Sequence, residues 1–546
     1  MKSRTTATAL LLALLSASAC TKVGGAPGTG AARHAWTIPG VLRVALAGSP
    51  KTLNPILSTT TIESLVETFA LDPLVATDPE GRDVPILAQT VPTLENGGIS
   101  KDGLTIVYHL RHGVRWQDGV PFTSRDVKFS FAAIMNPNTA VSTRHGYDDV
   151  ARVDTPDAYT VVLHLKRPFA PAIETFFAHS DSPFTILPAH LLEHYKSLDR
   201  IPFNEHPIGT GPFRVVRWDR GNRIDYVAND DYFLGKPKLR RIEVHFVQDE
   251  NSIVNQLRSH EIDWFFQPTN IVYPEVKTIP GLDVRLIPFN GFHAIQFNTK
   301  RAPFDDPRVR RAVGLAVDKN ELAEKLSFGT AEAATEDIPR SMWAFDPNAG
   351  TTKRDLPAAR ALLDAAGWHA DPSGIRRRKG RPLAIGLAYQ VESAVDRRRV
   401  PILVGMLREA GIVAEPKGYT EILLFATASE HGILASGNFD AVITTWFAGV
   451  DPDDSTQLLC NQFPPNGWNW SRYCDPKMDD AQGIALSHYD RPTRKRAYAQ
   501  IEQLLADDAP FIYLLWPRQI EPVNSDLKNF RPNGVIENWN SYQWSI

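Results

Sequence analysis

The sequence predicts an α/β protein of two lobes, on three observations. Strand-like and helix-like stretches alternate through both halves of the chain, which favours sheets covered by helices over an all-helical or all-β arrangement. The chain is 546 residues long, 43% hydrophobic and 22% charged, enough for about two to four domain-sized cores. The segment HPIGTGPFRVVRW, His206 to Trp218, separates a long excursion from a second half. There Gly209 and Gly211 flank Thr210 and Pro212 fixes the next φ, so the chain turns where side chains would obstruct it. Phe213, Val215 and Val216 then open a strand. The segment has neither the Gly-Lys-Ser/Thr ending of a phosphate loop nor a third glycine for a dinucleotide fingerprint, so it gives no support to nucleotide binding.

The first 20 residues read as an export signal. Lys2 and Arg4 form a positive region, Ala9 to Leu15 an apolar one, and small residues lead to Cys20. The apolar run is too short to span a bilayer, and no later stretch reaches about 18 uninterrupted apolar residues. Ala17-Ser18-Ala19 suits ordinary signal peptidase. Cys20, followed by the turn-rich GGAPGTGAAR, is similar to a bacterial lipoprotein start, although Ala17 stands where the usual box has leucine. We expect a leader at 1–19, lipidation of Cys20 and a linker at 20–35. The mature chain is then outside the cytoplasm, tethered to a membrane by lipid. Two further cysteines, Cys460 and Cys474, bracket a loop containing Pro464, Pro465, Asn466 and Gly467. In an oxidising compartment this close pair is most simply a disulfide, the alternative being two unrelated thiols.

Val41 to Ala47 reads as a strand, and Ser58 to Thr61 precede a helical run from Ile62 to Phe69. Hydroxyls in that position cap a helix or, alternatively, touch a ligand. Leu104 to Leu110 alternates as a half-buried strand, Asp118-Gly119 is a hairpin signal, and Thr123 with Asp126 is spaced as a capping box. Ile242, Val244 and Phe246 mark a strand, Asn251 to Leu257 a helix, and Ile262 to Trp264 the start of another strand. Phe289 to Thr299 is a further strand. Asp306-Pro307 starts a helix, Asp318 and Glu321 cap the next, and Gly367 and Gly411 end helices at 355–366 and 401–410. Phe439 to Trp446 is an apolar strand that empties into Gly449-Val450-Asp451-Pro452, a place where open α/β sheets bind ligands. A net charge of −3 gives no basic excess, which argues against nucleic acid as a partner.

Several stretches together resemble the extracytoplasmic solute-binding proteins of the dipeptide, oligopeptide and nickel class, the binding components of ABC importers. They are DGLTIVYHLRHGVRWQDGVPFTSRDVKFSF (102–131), IGTGPFRVVRW (208–218), RAPFDDPRVRRAVGLAVDKNEL (301–322), AARALLDAAGW (358–368) and LREAGIVAE (407–415). The loop with Cys460 and Cys474 is similar to the disulfide loop of dipeptide binders. The resemblance implies a hinged, two-lobed periplasmic-binding-protein fold of class II, with an extra subdomain inserted in the first lobe. Lobe I would comprise 36–74, 201–285 and a return at 520–546, the insertion 75–200, and lobe II 286–519. Ligand would bind between the lobes, and closure would present a surface to the permease.

The resemblance also implies site residues. In peptide binders an extended peptide is held as an added strand. Its ammonium meets an aspartate in the loop after the strand that matches Phe439 to Trp446. In this chain the loop WFAGVDPDD is shorter and the nearest candidate is Asp451, which alternatively caps a turn. Dipeptide binders carry an arginine pair ahead of the helix that matches Pro401 to Ala410. Arg397 and Arg398 are therefore candidates for the peptide carboxylate, or else solvated surface residues. Trp446 on one side and Thr60 or Thr61 on the other would be the cleft walls. We expect a monomer that binds a short peptide, serves membrane permease subunits, needs no cofactor or metal and catalyses nothing. Within the same fold the ligand is alternatively a nickel chelate, an opine or a sugar. From another class, His190-Leu-Leu-Glu193-His194 fits the H-x-x-E-H zinc-protease pattern, but no third ligand is evident downstream. No G-x-S-x-G occurs.

Overall fold

One strand, Phe511–Asn524, joins the sheets of the two lobes. In the computed structural model, which describes residues 33–178, 184–350 and 353–546, it pairs antiparallel with Gly291–Phe297 and Ala331–Ala333 through its first half. Its second half, from Arg518, pairs with Leu282–Pro288. The expected leader at 1–19 and Cys20 lie outside the described residues. The strand is buried along its length except at Pro517 and Arg518, where it crosses between lobes. Burial on both faces explains the near-continuous apolar run Phe511 to Trp516, which carries no alternation. The expected boundary at 519/520 falls inside this single strand.

Around it the described residues form a twelve-stranded sheet. In lobe I, Val41–Leu46 runs parallel to Trp264–Phe265 on one side and to Arg241–Phe246 on the other, and the hairpin Arg223–Ala228 and Phe213–Asp219 completes the edge. The alternation read in Ile242 and Val244 places them with Leu42 and Val44 in one cluster. Ala45 and Phe265 face a second cluster built on Ile253 and Leu257 of the helix Glu250–Arg258. Between 75 and 200 the chain builds separate small sheets, Val75–Thr77 with Asp83–Pro85 and Thr105–His109 with Thr160–Leu165 and Val150–Asp157. These and the helix Ser124–Met135 surround a cluster that includes Trp116, Phe122, Tyr147 and Phe176. The Thr123/Asp126 capping box is formed.

Gly209 and Gly211 are required by close approach, since neither has a positive φ. A Cβ on Gly209 would lie 1.8 Å from the Ala70 carbonyl oxygen, and one on Gly211 would lie 2.5 Å from the Ala70 carbonyl carbon. The Gly211 N–H donates to that same oxygen at 2.9 Å, sealing the returning chain against the end of the helix Thr61–Thr68.

In lobe II, Ala384–Gln390 runs parallel to Val413–Tyr419 and Ala441–Phe447, and Ala441–Phe447 pairs antiparallel with Gly291–Phe297. Helices Pro307–Ala316, Leu356–Ala365 and Ala394–Glu409 cover one face, and Pro476–Ser487 with Arg491–Asp508 the other. One expectation is corrected here. The helix expected to begin at Pro401 begins at Ala394, because Ser393 caps it by accepting the Asp396 N–H at 3.1 Å. Pro401 is tolerated inside it on an exposed position, at the loss of one helical N–H donor. Cys460 and Cys474 are joined by a disulfide, their Cα atoms 4.7 Å apart.

Candidate functional site

The strand directions locate the site. Trp264–Phe265 is antiparallel to the shared strand Phe511–Asn524, which runs from lobe II into lobe I, so Val41–Leu46 and Trp264–Phe265 both end facing lobe II. Gly291–Phe297 is also antiparallel to the shared strand, and Ala441–Phe447 is antiparallel to Gly291–Phe297. Ala441–Phe447 and its parallel neighbour Ala384–Gln390 therefore end facing lobe I. The carboxyl ends of both lobes' parallel strands thus oppose one another across the crossover, the position where α/β sheets bind ligands. The second crossing is Phe289 to Gly291. A Cβ on Gly291 would lie 2.1 Å from the Trp446 carbonyl oxygen, so glycine is required there. Asn290 ties the crossing to the loop after Ala441–Phe447: its carbonyl accepts from the Ala448 N–H at 2.7 Å, and its Nδ2 donates to the Gly449 carbonyl at 3.0 Å.

The lobes touch in this structure. Asn270 Nδ2 donates to the Leu326 carbonyl at 3.0 Å, and His145 Nε2 lies 3.2 Å from Asp453 Oδ2. The Tyr489 hydroxyl donates to the Gly103 carbonyl at 3.1 Å and accepts from the Phe169 N–H at 3.3 Å.

On the lobe I side, Thr60 and Thr61 are exposed at the start of Thr61–Thr68. The Thr60 hydroxyl accepts from the Glu63 N–H at 3.3 Å, the capping role, while Glu63 accepts from the N–H groups of Lys51 and Thr59 at 2.9 and 2.8 Å. On the lobe II side, Trp446 is half-buried and meets Trp468 edge-on, ring centroids 5.0 Å apart.

Arg397, Arg398 and Asp451 are all engaged with the protein itself. Arg397 Nη1 donates to the carbonyls of Val391 and Glu392, the latter at 3.0 Å, and Arg398 lies exposed over the Phe328 ring at 5.3 Å. Asp451 is buried, and its two oxygens accept from Arg494 at 2.6 and 2.7 Å. Burial works against the Arg494 charge, but Asp451 outweighs it and holds the guanidinium above its ordinary range.

The zinc-protease pattern is not assembled. Its helix is only Ala189–Leu192, so Glu193 and His194 lie past its end. His190 Nε2 bonds Asp118 at 2.8 Å, Glu193 pairs with Arg125, and His194 packs on Tyr195. Among the described residues no group of three or more His, Cys, Asp or Glu is arranged to hold a metal ion.

The residue that the sequence reading missed is Arg399. It is 1% exposed, its Nη1 pairs with Asp396 Oδ1 at 3.0 Å, and its Nε has no hydrogen-bond partner among the described residues. Burial pulls its pKa down, with Asp396 opposing. Near it, burial and then the Arg399 charge hold the His293 imidazole well below its usual range, and its Nδ1 lies 2.8 Å from the Thr445 hydroxyl. The signal was Ser393-Ala-Val-Asp396, a capping-box spacing that starts the helix early and puts Arg399 on the face of Leu403 and Met406.

Comparison with known proteins supports the two-lobed fold. A family model described as bacterial extracellular solute-binding proteins, family 5, middle region, matches residues 72–468. The oligopeptide-binding protein AppA of Bacillus subtilis is 26% identical over 513 residues, covering 92% of this chain and 91% of that one. The crystal structure of NikZ from Campylobacter jejuni in complex with Ni(L-His) aligns with a TM-score of 0.78 at 26% identity, covering 93% of this chain and 100% of that one. The structure of Bacillus subtilis AppA in complex with a nonapeptide shares the fold, with a TM-score of 0.75 at 23% identity, covering 93% and 99%.

Proposed function

The chain belongs to the bacterial extracellular solute-binding proteins of family 5, and from that premise we propose that it captures short peptides between its lobes and delivers them to an ABC importer. The observation that carries this reading is the opposition of parallel-strand ends across one shared strand, Phe511–Asn524. Two rigid sheets joined by a strand and one short crossing can rotate about Pro288–Gly291 and Pro517–Arg518. A ligand that touches both lobes only when they are closed shifts the population toward the closed form that a permease reads.

In this reading Thr60 and Thr61 are the polar wall and Trp446 the apolar one. Arg399, beside His293 and Thr445, takes the ligand carboxylate in place of the outward-facing Arg397 and Arg398. Its guanidinium is already desolvated and its Nε lacks a partner, which a carboxylate oxygen would supply. Asp451 acts through Arg494 to hold the loop and is not itself presented to an ammonium group. Export by the leader, lipidation at Cys20 and a monomer at the membrane surface complete the picture. No helix among the described residues is long and apolar enough to cross a membrane.

The engagement of Asp451 by Arg494 favours a second reading, a non-peptide solute without an ammonium terminus, such as a nickel chelate of the kind held by NikZ. Two measurements on the purified protein decide. Small-angle scattering with a peptide at saturation is expected to show a smaller radius of gyration, and an unchanged radius refutes closure. Native mass spectrometry of what leaves the cleft on denaturation gives peptide masses in the first reading and a single non-peptide mass in the second.

A further inference from the structure

Large apolar side chains exposed one at a time are ordinary, but in lobe II several adjoin. Trp468 is 50% exposed, and Phe425, on the helix Glu421–Phe425, is 44% exposed. Four rings run in series: Phe425 lies 5.6 Å from Trp470, Trp470 6.4 Å from Trp468 with planes 11° apart, and Trp468 5.0 Å from Trp446. The series starts beyond the carboxyl end of Val413–Tyr419 and finishes at that of Ala441–Phe447, the two strands that flank Ala384–Gln390. It therefore reaches the edge of lobe II that faces lobe I at Trp446, with Trp468 next to it.

The segment bearing Trp468 is rigid. The disulfide closes its base, the Trp468 N–H donates to the Thr456 carbonyl at 2.9 Å, and Asn469 Nδ2 donates to the carbonyls of Leu459 and Tyr473 at 3.1 and 2.8 Å. Trp470 is anchored below in a cluster with Leu434 and Phe439. An aromatic surface held in place this way loses little freedom when something stacks on it.

We propose that this ring series is a side-chain subsite of the cleft, and that the solutes this protein selects carry an aromatic or bulky aliphatic group that packs on Trp468. The inference rests on the peptide reading above. Continuity with Trp446 at the strand end assigns the surface to the ligand. The four rings present mainly apolar faces, so an aromatic or aliphatic ligand group gains most by packing there.

The test is retention of peptides from a random library of tri- to pentapeptides by the wild-type protein and by Trp468→Ala and Trp468→Phe, with the retained peptides sequenced by mass spectrometry. Covering about 55 Å² of apolar surface corresponds to roughly tenfold in affinity at ~25 cal/mol per Å². The wild type is therefore expected to enrich Phe, Tyr, Trp and Leu peptides about tenfold. Trp468→Phe is expected to keep most of that enrichment and Trp468→Ala to lose it, both variants having the circular dichroism of the wild type. Peptides retained without enrichment, or enrichment unchanged in Trp468→Ala, overturn the subsite and leave the peptide reading standing. No peptide retained by the wild type overturns both.

Discussion

Replacing Asp451 by alanine separates the two roles open to its carboxylate. Both oxygens are on Arg494, and the two residues are 7% and 4% exposed. Without Asp451, Arg494 keeps the Ala485 carbonyl at 2.9 Å, the Tyr498 hydroxyl at 3.2 Å, the faces of Trp343 and Tyr498 and the more distant Glu174. Removing one partner of a buried pair costs about 3–5 kcal/mol, because the other charge is left uncompensated. Arg494→Met should cost a similar amount by stranding the carboxylate. The double variant removes both charges and is expected to be more stable than the sum of the singles by at least about 1 kcal/mol. Urea unfolding of the four proteins gives the cycle, and calorimetric titration with a bound peptide gives the affinities. The structural role predicts large losses of stability with small changes in affinity. A variant Asp451→Ala within about 0.5 kcal/mol of wild type but binding peptide tenfold more weakly would refute it, and would return the carboxylate to the ligand.

Three further outcomes follow from single features. Cys460→Ser with Cys474→Ser should destabilise by about 3 kcal/mol, since the bond closes a loop across 14 residues, and urea midpoints with and without reductant check this. Glu336 is buried, and burial followed by the Asp337 charge pushes its carboxyl up to about 9. Between its ordinary value and about 9 the folded chain keeps a proton that the unfolded chain has lost, so stability falls as pH rises, by at most ~1.4 kcal/mol per unit. Glu336→Gln should flatten that slope between pH 5 and 8, and an unchanged slope in thermal midpoint would remove Glu336 as its source. Gly209→Ala should cost about 1–3 kcal/mol or more, because its Cβ would overlap the Ala70 carbonyl, and a wild-type midpoint would contradict the close approach.

Much of the architecture was legible in local signals. Strands at Val41–Leu46, Arg241–Phe246 and Ala441–Phe447, and helices capped by Asp306, Asp318 and Asp355, were found from period and caps, because each is decided within a few residues. Cys460 and Cys474 were paired from their closeness in sequence and the oxidising compartment that an export signal implies. The helix start at Ala394 was misread because Pro401 is a local breaker, while the cap at Ser393 and the packing of Val400 and Leu403 against the sheet outweigh it.

The site itself was decided by tertiary structure. Three consecutive arginines are chemically equal in the sequence. The helix turns Arg397 and Arg398 outward and Arg399 inward beside His293, a residue more than a hundred positions away in the chain. Asp451 looks free until Arg494 is folded onto it, and Trp468 looks like any loop residue until it meets Trp446. Caps, turns and periods are interactions between near neighbours, so the sequence alone determined them. Which charge is already satisfied and which ring is left uncovered depends on contacts between distant segments, and only the folded chain decided those.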